Sequence, residues 1–382
     1  MKCGLHIFHH TDLDGMGVKI LSILYAKIHH IPYETHCCGY SRIDKEVRKC
    51  LMEDAPDGII IGDISVDSDT AKMLNNAHKR GMKLHLYDHH EPAMFLNEYS
   101  WAEVATSING SACCGTKLLS EASFMKAISS HMRYFINLVN DWDTWEWKEN
   151  NNQVARQLNS LFSILGEDEF TNYIVDKIYV PSIVEPSGYH LGYISKETDL
   201  FTLKSKIMME THQKLIDQQV LSCEKYMYTM NLWVQIPNKG ESSRKIPHKT
   251  VSFKTGIIFL NDNLSEVGDK ILDRNPELDI LMIMVFPGNI SWRTHKDLPI
   301  SLSKIAKMAT GSGGGHSQAS GSNIPFAKFQ DSLCRFMDDN FSSHLEYSNL
   351  VSAYVRRKRE EEKQLKQAEQ DLFSLFKAKT GV

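Results

Sequence analysis

The sequence predicts an α/β fold: an N-terminal, mostly parallel sheet flanked by helices, then a smaller C-terminal α/β domain, the two joined by a helical linker. Three observations predict it. Short apolar runs and helix-period stretches alternate from Leu5 to Val139, a second alternation runs from Val251 to Met308, and one long charged helical pattern, Asp199–Lys225, lies between them. In order, Leu5–His10 reads as a strand and Gly15–His29 as a helix with Val18, Leu21, Ile23, Leu24 and Ile28 apolar. Glu34–Gly39 is the next strand candidate, Ile43–Glu53 a helix and Gly58–Ile64 a strand. Ser68–Arg80 reads as a helix capped by Ser68 or Asp69, and Lys83–Tyr87 as a strand. Ser111–Ala122, Met125–Val139 and Asn151–Tyr179 carry helical patterns, and Pro181, Pro186 and Gly188 mark a break. In the second alternation Val251–Leu260, Leu281–Phe286 and Asn289–Thr294 are strand candidates, with Leu264–Asp273, Leu302–Met308 and Pro325–Asp338 helical. The domain division expected from this is residues 1–180, a linker with its long helix at 181–230, a second domain at 231–345 and a charged helical tail at 346–382.

A chain of 382 residues favours two domains. Composition is globular, with 42% hydrophobic and 24% charged residues, which excludes a disordered chain. The net charge of −4 excludes a strong overall field for long nucleic acid, so any attraction for phosphate is local. The eight Cys include the adjacent pairs Cys37-Cys38 and Cys113-Cys114, whose spacing is not that of a zinc ribbon. No apolar run reaches membrane-helix length, and no signal peptide precedes the first strand. Free thiols and a cytoplasmic location without membrane attachment are the expectations.

Three of the strand candidates end in acids or imidazoles. The first ends in His9-His10-Thr11-Asp12-Leu13-Asp14-Gly15, the next in Asp63, the third in Asp88-His89-His90. Parallel strands would bring these ends to one edge, where crowded carboxylates raise each other's pKa. A divalent cation removes that conflict, and two remove it better. Alternation places His10, Asp12 and Asp14 on one side of an extended segment, with Leu13 toward the core, although an Asp before Gly is also a common helix cap. Asp63 gains its meaning from the other two ends, as a carboxylate able to bridge two ions. His89 is a metal-ligand candidate, Asp88 orients an imidazole or a water, and His90 faces substrate. Asp141 and Asp143 flank Trp142 after the apolar segment Ile136–Val139; Asp141 is favoured as the further ligand because it directly ends that segment. Downstream, Gly313-Gly314-Gly315-His316 follows Arg293 on a strand candidate. Successive glycines let backbone N–H groups approach a phosphate, while Arg293 and His316 can bind its oxygens. Trp142, Trp145 and Trp292 read as core residues before base-stacking ones.

At these residues the chain resembles the DHH phosphoesterase superfamily. Asp88-His89-His90 matches its name-giving motif, His10-Thr11-Asp12-Leu13-Asp14-Gly15 its first motif, Asp63 its second, and Asp141 with Asp143 its fourth. The nano-RNase (oligoribonuclease) branch is the nearest in its first motif. Gly313-Gly314-Gly315-His316-Ser317-Gln318-Ala319-Ser320-Gly321 and Ser291-Trp292-Arg293 resemble the motifs of the DHH-associated domain. The resemblance implies two Mn²⁺ ions, with Mg²⁺ or Co²⁺ as alternatives. His10, Asp12 and Asp63 would hold one ion; Asp14, Asp63, His89 and Asp141 the other. His10 stands in for an imidazole that some branches place where this chain has Phe8, with His9 the weaker substitute. The activity implied is hydrolysis of short single-stranded RNA or DNA to mononucleotides, with Asp88 and His90 catalytic and Arg293, Gly313, Gly314, Gly315 and His316 holding the nucleotide. The competing readings are a phosphatase or phosphodiesterase for small nucleotides (3′-phosphoadenosine 5′-phosphate, cyclic nucleotides, pyrophosphate) and a non-catalytic nucleotide-binding protein. A homodimer is left open.

Overall fold

The computed structural model describes residues 4–53, 56–237, 248–286, 288–310, 314–315 and 318–324. They divide into two compact units, the first being Met1–Thr229 with Asp262–Asp279 and the second Met230–Asn261 with Ile280–Val382. The tail at 346–382 and the helix expected at Pro325–Asp338 lie outside the described residues.

The first unit is built on five parallel strands: β1 (Leu5–His9), β2 (Tyr33–Cys37), β3 (Gly58–Gly62), β4 (Lys83–Asp88) and β5 (Ala102–Val104). Their order across the sheet is β2-β1-β3-β4-β5. β1 and β3 are buried along their whole length, as a sheet covered on both faces requires. Alternating residues feed two cores. Ile7 and Ile60 pack with helices on one face; Phe8, Ile59, Ile61, Leu84 and Leu86 pack on the other. Three helices connect successive strands: α1 (Leu13–Ile28), α2 (Ile43–Glu53) and α3 (Ser68–Lys79). α1 is buried along most of its length in the larger core; α2 and α3 pair on the other face.

After β5 come a short hairpin, β6 (Ser107–Ile108) and β7 (Ser111–Ala112), and the helices α4 (Gly115–Glu121), α5 (Lys126–His131), α6 (Arg133–Asp143), α7 (Glu146–Glu149) and α8 (Gln153–Ile178). α4, α6 and α8 pack around α1. A second hairpin, β8 (Tyr179–Pro181) with β9 (Tyr189–Leu191), precedes α9 (Glu197–Leu200) and α10 (Leu203–Lys225). α10 packs on α8 and on α11 (Leu264–Arg274), so the helix expected to link two domains belongs to the first unit's own fold.

Several elements differ from expectation. The helix at Ser111–Ala122 shrinks to α4, because Ser111 and Ala112 pair as a strand and Cys114, in extended conformation, caps the helix. Met132 leaves helical geometry and splits the helix expected at Met125–Val139, while its second half runs on to Asp143. Gly166, at φ +72°, kinks α8. Asp67, not Ser68 or Asp69, caps α3 by accepting from the Thr70 amide.

The second unit holds a mixed sheet: β10 (Tyr228–Pro237), β11 (His248–Phe259), β12 (Ile280–Val285), β13 (Asn289–Arg293), β14 (Gly314–Gly315) and β15 (Ala319–Asn323), in the order β10-β11-β12-β13-β15-β14. β11 and β12 are parallel, and β13, β15 and β14 continue antiparallel. α12 (Leu302–Thr310) packs against β13, β14 and β15. Trp292 is a core residue here, 1% exposed, with its indole N–H donating to Ser322 Oγ at 2.7 Å. Among the described residues no helix is long and apolar enough to cross a membrane.

Candidate metal centre at the strand ends

The carboxyl ends of β1, β3 and β4 lie side by side, and each delivers its polar residues to the same edge. At the end of β1 the chain turns sharply into α1. A Cβ at Gly15 would lie 2.2 Å from the His10 carbonyl oxygen, so only glycine permits this turn. Asp12 Oδ1 caps α1 by accepting from the Gly15 amide at 3.1 Å, while Asp12 Oδ2 accepts from His10 Nδ1 at 2.8 Å. The cap and the candidate ligand are therefore the same side chain.

Asp14 is buried and clamped. Its oxygens accept the amides of Gly115 and Thr116, at 2.7 and 2.8 Å, at the N-terminus of α4. That helix end favours the charged carboxylate. Gly115 makes this approach possible, since a Cβ there would come within 3.0 Å of Asp14 Oδ2.

Asp63 follows β3 with φ +55°, the left-handed conformation that non-glycine residues seldom adopt. The strain aims a buried carboxylate at two neighbours. Asp63 Oδ1 lies 3.3 Å from His89 Nε2, and Asp63 Oδ2 lies 3.7 Å from His10 Nδ1. The same His89 nitrogen is 3.4 Å from Asp143 Oδ2 and 3.9 Å from Asp14 Oδ2. Two ligand groups result, His10–Asp12–Asp63 and Asp14–His89–Asp143, with Asp63 turned toward both.

The edge is electrostatically strained. Burial, then the charges of Asp12, Asp14 and Asp143, push Asp63 well above the usual carboxylate range. Burial, with Asp14 and Asp12, outweighs the nearby imidazoles and pushes Asp143 up to about 7. Asp12 goes the other way: desolvation opposes it, but the charge and hydrogen bond of His10 hold it well below the usual range. Asp63 Oδ2, Asp88 Oδ2 and Asp143 Oδ2 are buried and find no hydrogen-bond partner among the described residues. Buried acceptors without donors, in a mixed carboxylate and imidazole set, fit hard-to-borderline divalent cations. The residues present fit one or two such ions.

Asp88 plays a different part. It is fully buried, and its Oδ1 accepts the His89 amide at 2.8 Å and His90 Nδ1–H at 2.7 Å. Burial would lower the His90 pKa, but the hydrogen bond and charge of Asp88, with Asp143 and Asp12 behind it, raise it to about 9.

The structure corrects the fourth motif. Asp143, not Asp141, joins Asp14 and His89, while Asp141 Oδ2 accepts from Asn152 Nδ2 at 2.6 Å. Sequence reasoning placed a chain reversal after Val139, but α6 continues through both residues. Two positions on a helix differ by roughly 200°, so the two acids face opposite ways. His9 also stands apart: it is fully buried, bonds the His10 carbonyl through Nδ1 and faces Glu167 at 3.4 Å through Nε2. Tyr40 was missed. Its ring lies against His10 and His90, at 5.7 and 5.8 Å between centroids. The signal was its position, three residues past the end of β2 on the same sheet edge. Trp142 and Trp145 are not core residues but half-buried walls of a cavity.

In the second unit Arg293 ends β13 and pairs with Ala319 of β15, whose Ser320 pairs with Gly315 of β14. Gly314 and Gly315 are exposed, and Gly315 takes φ +129°. Gly313 and His316 lie outside the described residues.

Over 326 residues the chain is 28% identical to oligoribonuclease NrnB of Bacillus subtilis (strain 168), covering 84% of this chain and 72% of that protein. The chain is a relative of the DHH/RecJ-like phosphoesterases, at modest identity. No family model matches it. Among solved structures, RecJ in complex with Mn²⁺ from Thermus thermophilus is similar with a TM-score of 0.48 and 11% identity, over 86% of this chain and 50% of that one. An uncharacterized protein from Helicobacter pylori G27 is similar with a TM-score of 0.36 and 15% identity, over 87% and 98% of the two chains. The sequence match carries the relationship; likenesses this distant add nothing to it.

Proposed function

We propose that the chain is a Mn²⁺-dependent phosphodiesterase that hydrolyses short oligonucleotides to mononucleotides. The observation that carries this reading is Asp63, a strained and buried carboxylate with one oxygen toward His10 and the other toward His89. The relationship to a protein named as an oligoribonuclease supports the substrate class. His10, Asp12 and Asp63 would hold one ion, and Asp14, Asp63, His89 and Asp143 the other. When bound, such ions lower the pKa of an attacking water and offset charge on the phosphoryl oxygens.

The protein's own residues supply the rest. Asp14, fixed by two α4 amides, does not swing when a charge arrives or leaves. Asp88 holds His90 through Nδ1, which leaves Nε2 as the position from which a proton can move. With its pKa raised to about 9, His90 carries that proton at neutral pH. A water oxygen bonds to phosphorus, the bond from phosphorus to the leaving ribose oxygen breaks, and His90 protonates that oxygen. Arg293, Gly314 and Gly315, with Gly313 and His316 beside them in sequence, would hold a phosphate of the substrate.

The test is product analysis after incubating the full chain and Mn²⁺ with an end-labelled dinucleotide, and separately with 3′-phosphoadenosine 5′-phosphate. Mononucleotides from the dinucleotide support the reading. Release of inorganic phosphate from the bisphosphate alone would replace it with a small-nucleotide phosphatase, and no turnover of either would leave a binding protein.

A further inference from the structure

The first unit contains a cavity of about 410 Å³, within the range of small-ligand sites. One wall consists of Trp142, Trp145 and Trp147, whose indoles lie 5.3–6.4 Å apart between centroids and within 33° of parallel. Trp145 adopts φ +65°, an outlier for so bulky a residue, between α6 and α7. Trp142 immediately precedes Asp143.

Two buried polar atoms belong to the lining. Trp147, 7% exposed, has an indole Nε1–H with no acceptor, and Glu266, 6% exposed, has an Oε2 with no donor, among the described residues. Glu266 Oε1 is already engaged, accepting from Asn159 Nδ2 and Ser160 Oγ at 3.1 Å each. The carboxylate is thus fixed in place with one oxygen left over. A buried donor and a buried acceptor left unmet are unfavourable unless something fills them. The cations of the cavity do not mark an anion site. Lys148 bonds Asp269, Arg156 bonds Gln213 and Lys270 bonds Asp217. What enters is therefore flat and neutral, with a donor for Glu266 and an acceptor for Trp147.

We propose that this cavity binds a nucleobase, and that the base is guanine. Its flat face stacks on the indole wall. Its N1–H and N2–H edge faces the carboxylate, which at neutral pH only accepts, and a ring acceptor takes the Trp147 N–H. Adenine, cytosine and uracil each offer that carboxylate fewer adjacent donors. The proposal deepens the function above by naming a base the enzyme holds. It borrows from that reading only the ligand class, and its test needs no turnover.

The test is titration of the full chain, kept free of divalent ions by a chelator, with guanosine, adenosine, cytidine and uridine, following tryptophan emission. Nucleosides lack phosphate, so a phosphate cradle cannot produce the signal. Guanosine is expected to quench saturably, with at least about tenfold weaker binding of the other three, the worth of a hydrogen bond to a charged group. Glu266→Gln keeps the side chain's shape and is expected to weaken guanosine about tenfold or more; Trp147→Phe, losing a neutral bond, weakens it severalfold. Asp63→Asn binds guanosine as the parent does. Equal quenching by all four nucleosides, or guanosine binding untouched by both cavity variants, overturns the proposal. So does binding lost only with Asp63→Asn. Dinucleotide hydrolysis with no guanosine binding rejects this inference alone; guanosine binding with no hydrolysis rejects only the reading above.

Discussion

His9 and His10 are consecutive residues, yet they serve two acidic clusters that are settled in opposite ways. His9 faces Glu167, which also accepts from the buried Lys19 ammonium at 2.7 Å. His10 faces Asp12 and Asp63, where no lysine or arginine forms an ion pair among the described residues. The consequences diverge. The His9 hydrogen bond, against the effect of burial and with Lys19 beside it, draws Glu167 down to about 2. Burial and neighbouring carboxylates drive Asp63 and Asp143 up. A cluster that carries its own cation ties α1 to α8 and asks for nothing more. A cluster that gathers acids without one keeps room for a cation from outside.

The largest effect expected from breaking this contrast is at Asp63. Asn tolerates the left-handed backbone almost as well as Asp, so Asp63→Asn should fold. Turnover of a dinucleotide should fall by about 10³-fold or more, because one substitution removes a carboxylate from both ligand groups. Folding is checked by circular dichroism and turnover by product release; turnover within tenfold of the parent would remove the bridging role. His90→Asn comes next, with a loss of about 10²–10⁴-fold in kcat, the range of a general acid. Mn²⁺ binding by calorimetry should be little changed in that variant, which separates proton delivery from metal holding.

The acids of α6 give a sharper contrast in a smaller range. Asp143→Asn should weaken Mn²⁺ binding at least about 10–100-fold. Asp141→Asn, which disturbs only the bond from Asn152, should leave it within about twofold and cost roughly 1 kcal/mol of stability. Equal losses from the two would mean that the helix presents both.

Much of this was legible in the sequence, and the failures share a cause. β1, β3 and β4 end where their apolar runs meet acid or imidazole, and a parallel sheet leaves those ends no other edge to occupy. Residue order along a strand fixes facing, so Asp12, Asp63 and His89 could be read directly. Asp143 could not. Its choice over Asp141 depends on how far α6 extends, and helix ends are set by packing as much as by local sequence. Tyr40 was silent for the same reason, since an aromatic after a half-exposed strand gives no sign of what it will touch. The tryptophans at 142 and 145 read as core because composition reports hydrophobicity and not the cavity that α11 closes from a distant part of the chain. The pairing of Lys19 with Glu167 spans 148 residues, beyond any local pattern.

Lys19→Met turns the settled cluster toward the unsettled kind. The ammonium is buried while Glu167 is 35% exposed, so water can partly replace the lost cation. The destabilisation should fall below the roughly 3–5 kcal/mol of breaking a fully buried pair. Denaturant melts report it, and Mn²⁺ should not restore the loss, because the metal belongs to the other cluster.

The smallest effect is a pH dependence that reverses the usual behaviour of carboxylates. A carboxyl whose pKa rises on folding binds its proton more tightly in the native state, so stability falls as pH rises between the two values. For Asp143 that window runs from the ordinary 3.8 to about 7, and Asp63 pushes in the same direction. His90 adds a later loss of the same sign, between 6.5 and about 9, because its stabilising charge disappears as it titrates in the folded state. Glu167 has the opposite sign: its contribution is present above 4.5 and is lost only as pH falls toward about 2, outside this interval. Thermal melts in chelator should therefore decline steadily from pH 5 to 8. With Mn²⁺ the decline should flatten, since a bound cation takes over what the shared protons did. Asp143→Asn should remove the part of the slope below pH 7 and leave the part above it. A metal-free chain that instead grows more stable from pH 5 to 8 would mean that its carboxylates are already balanced, and the contrast with the Lys19 cluster would disappear.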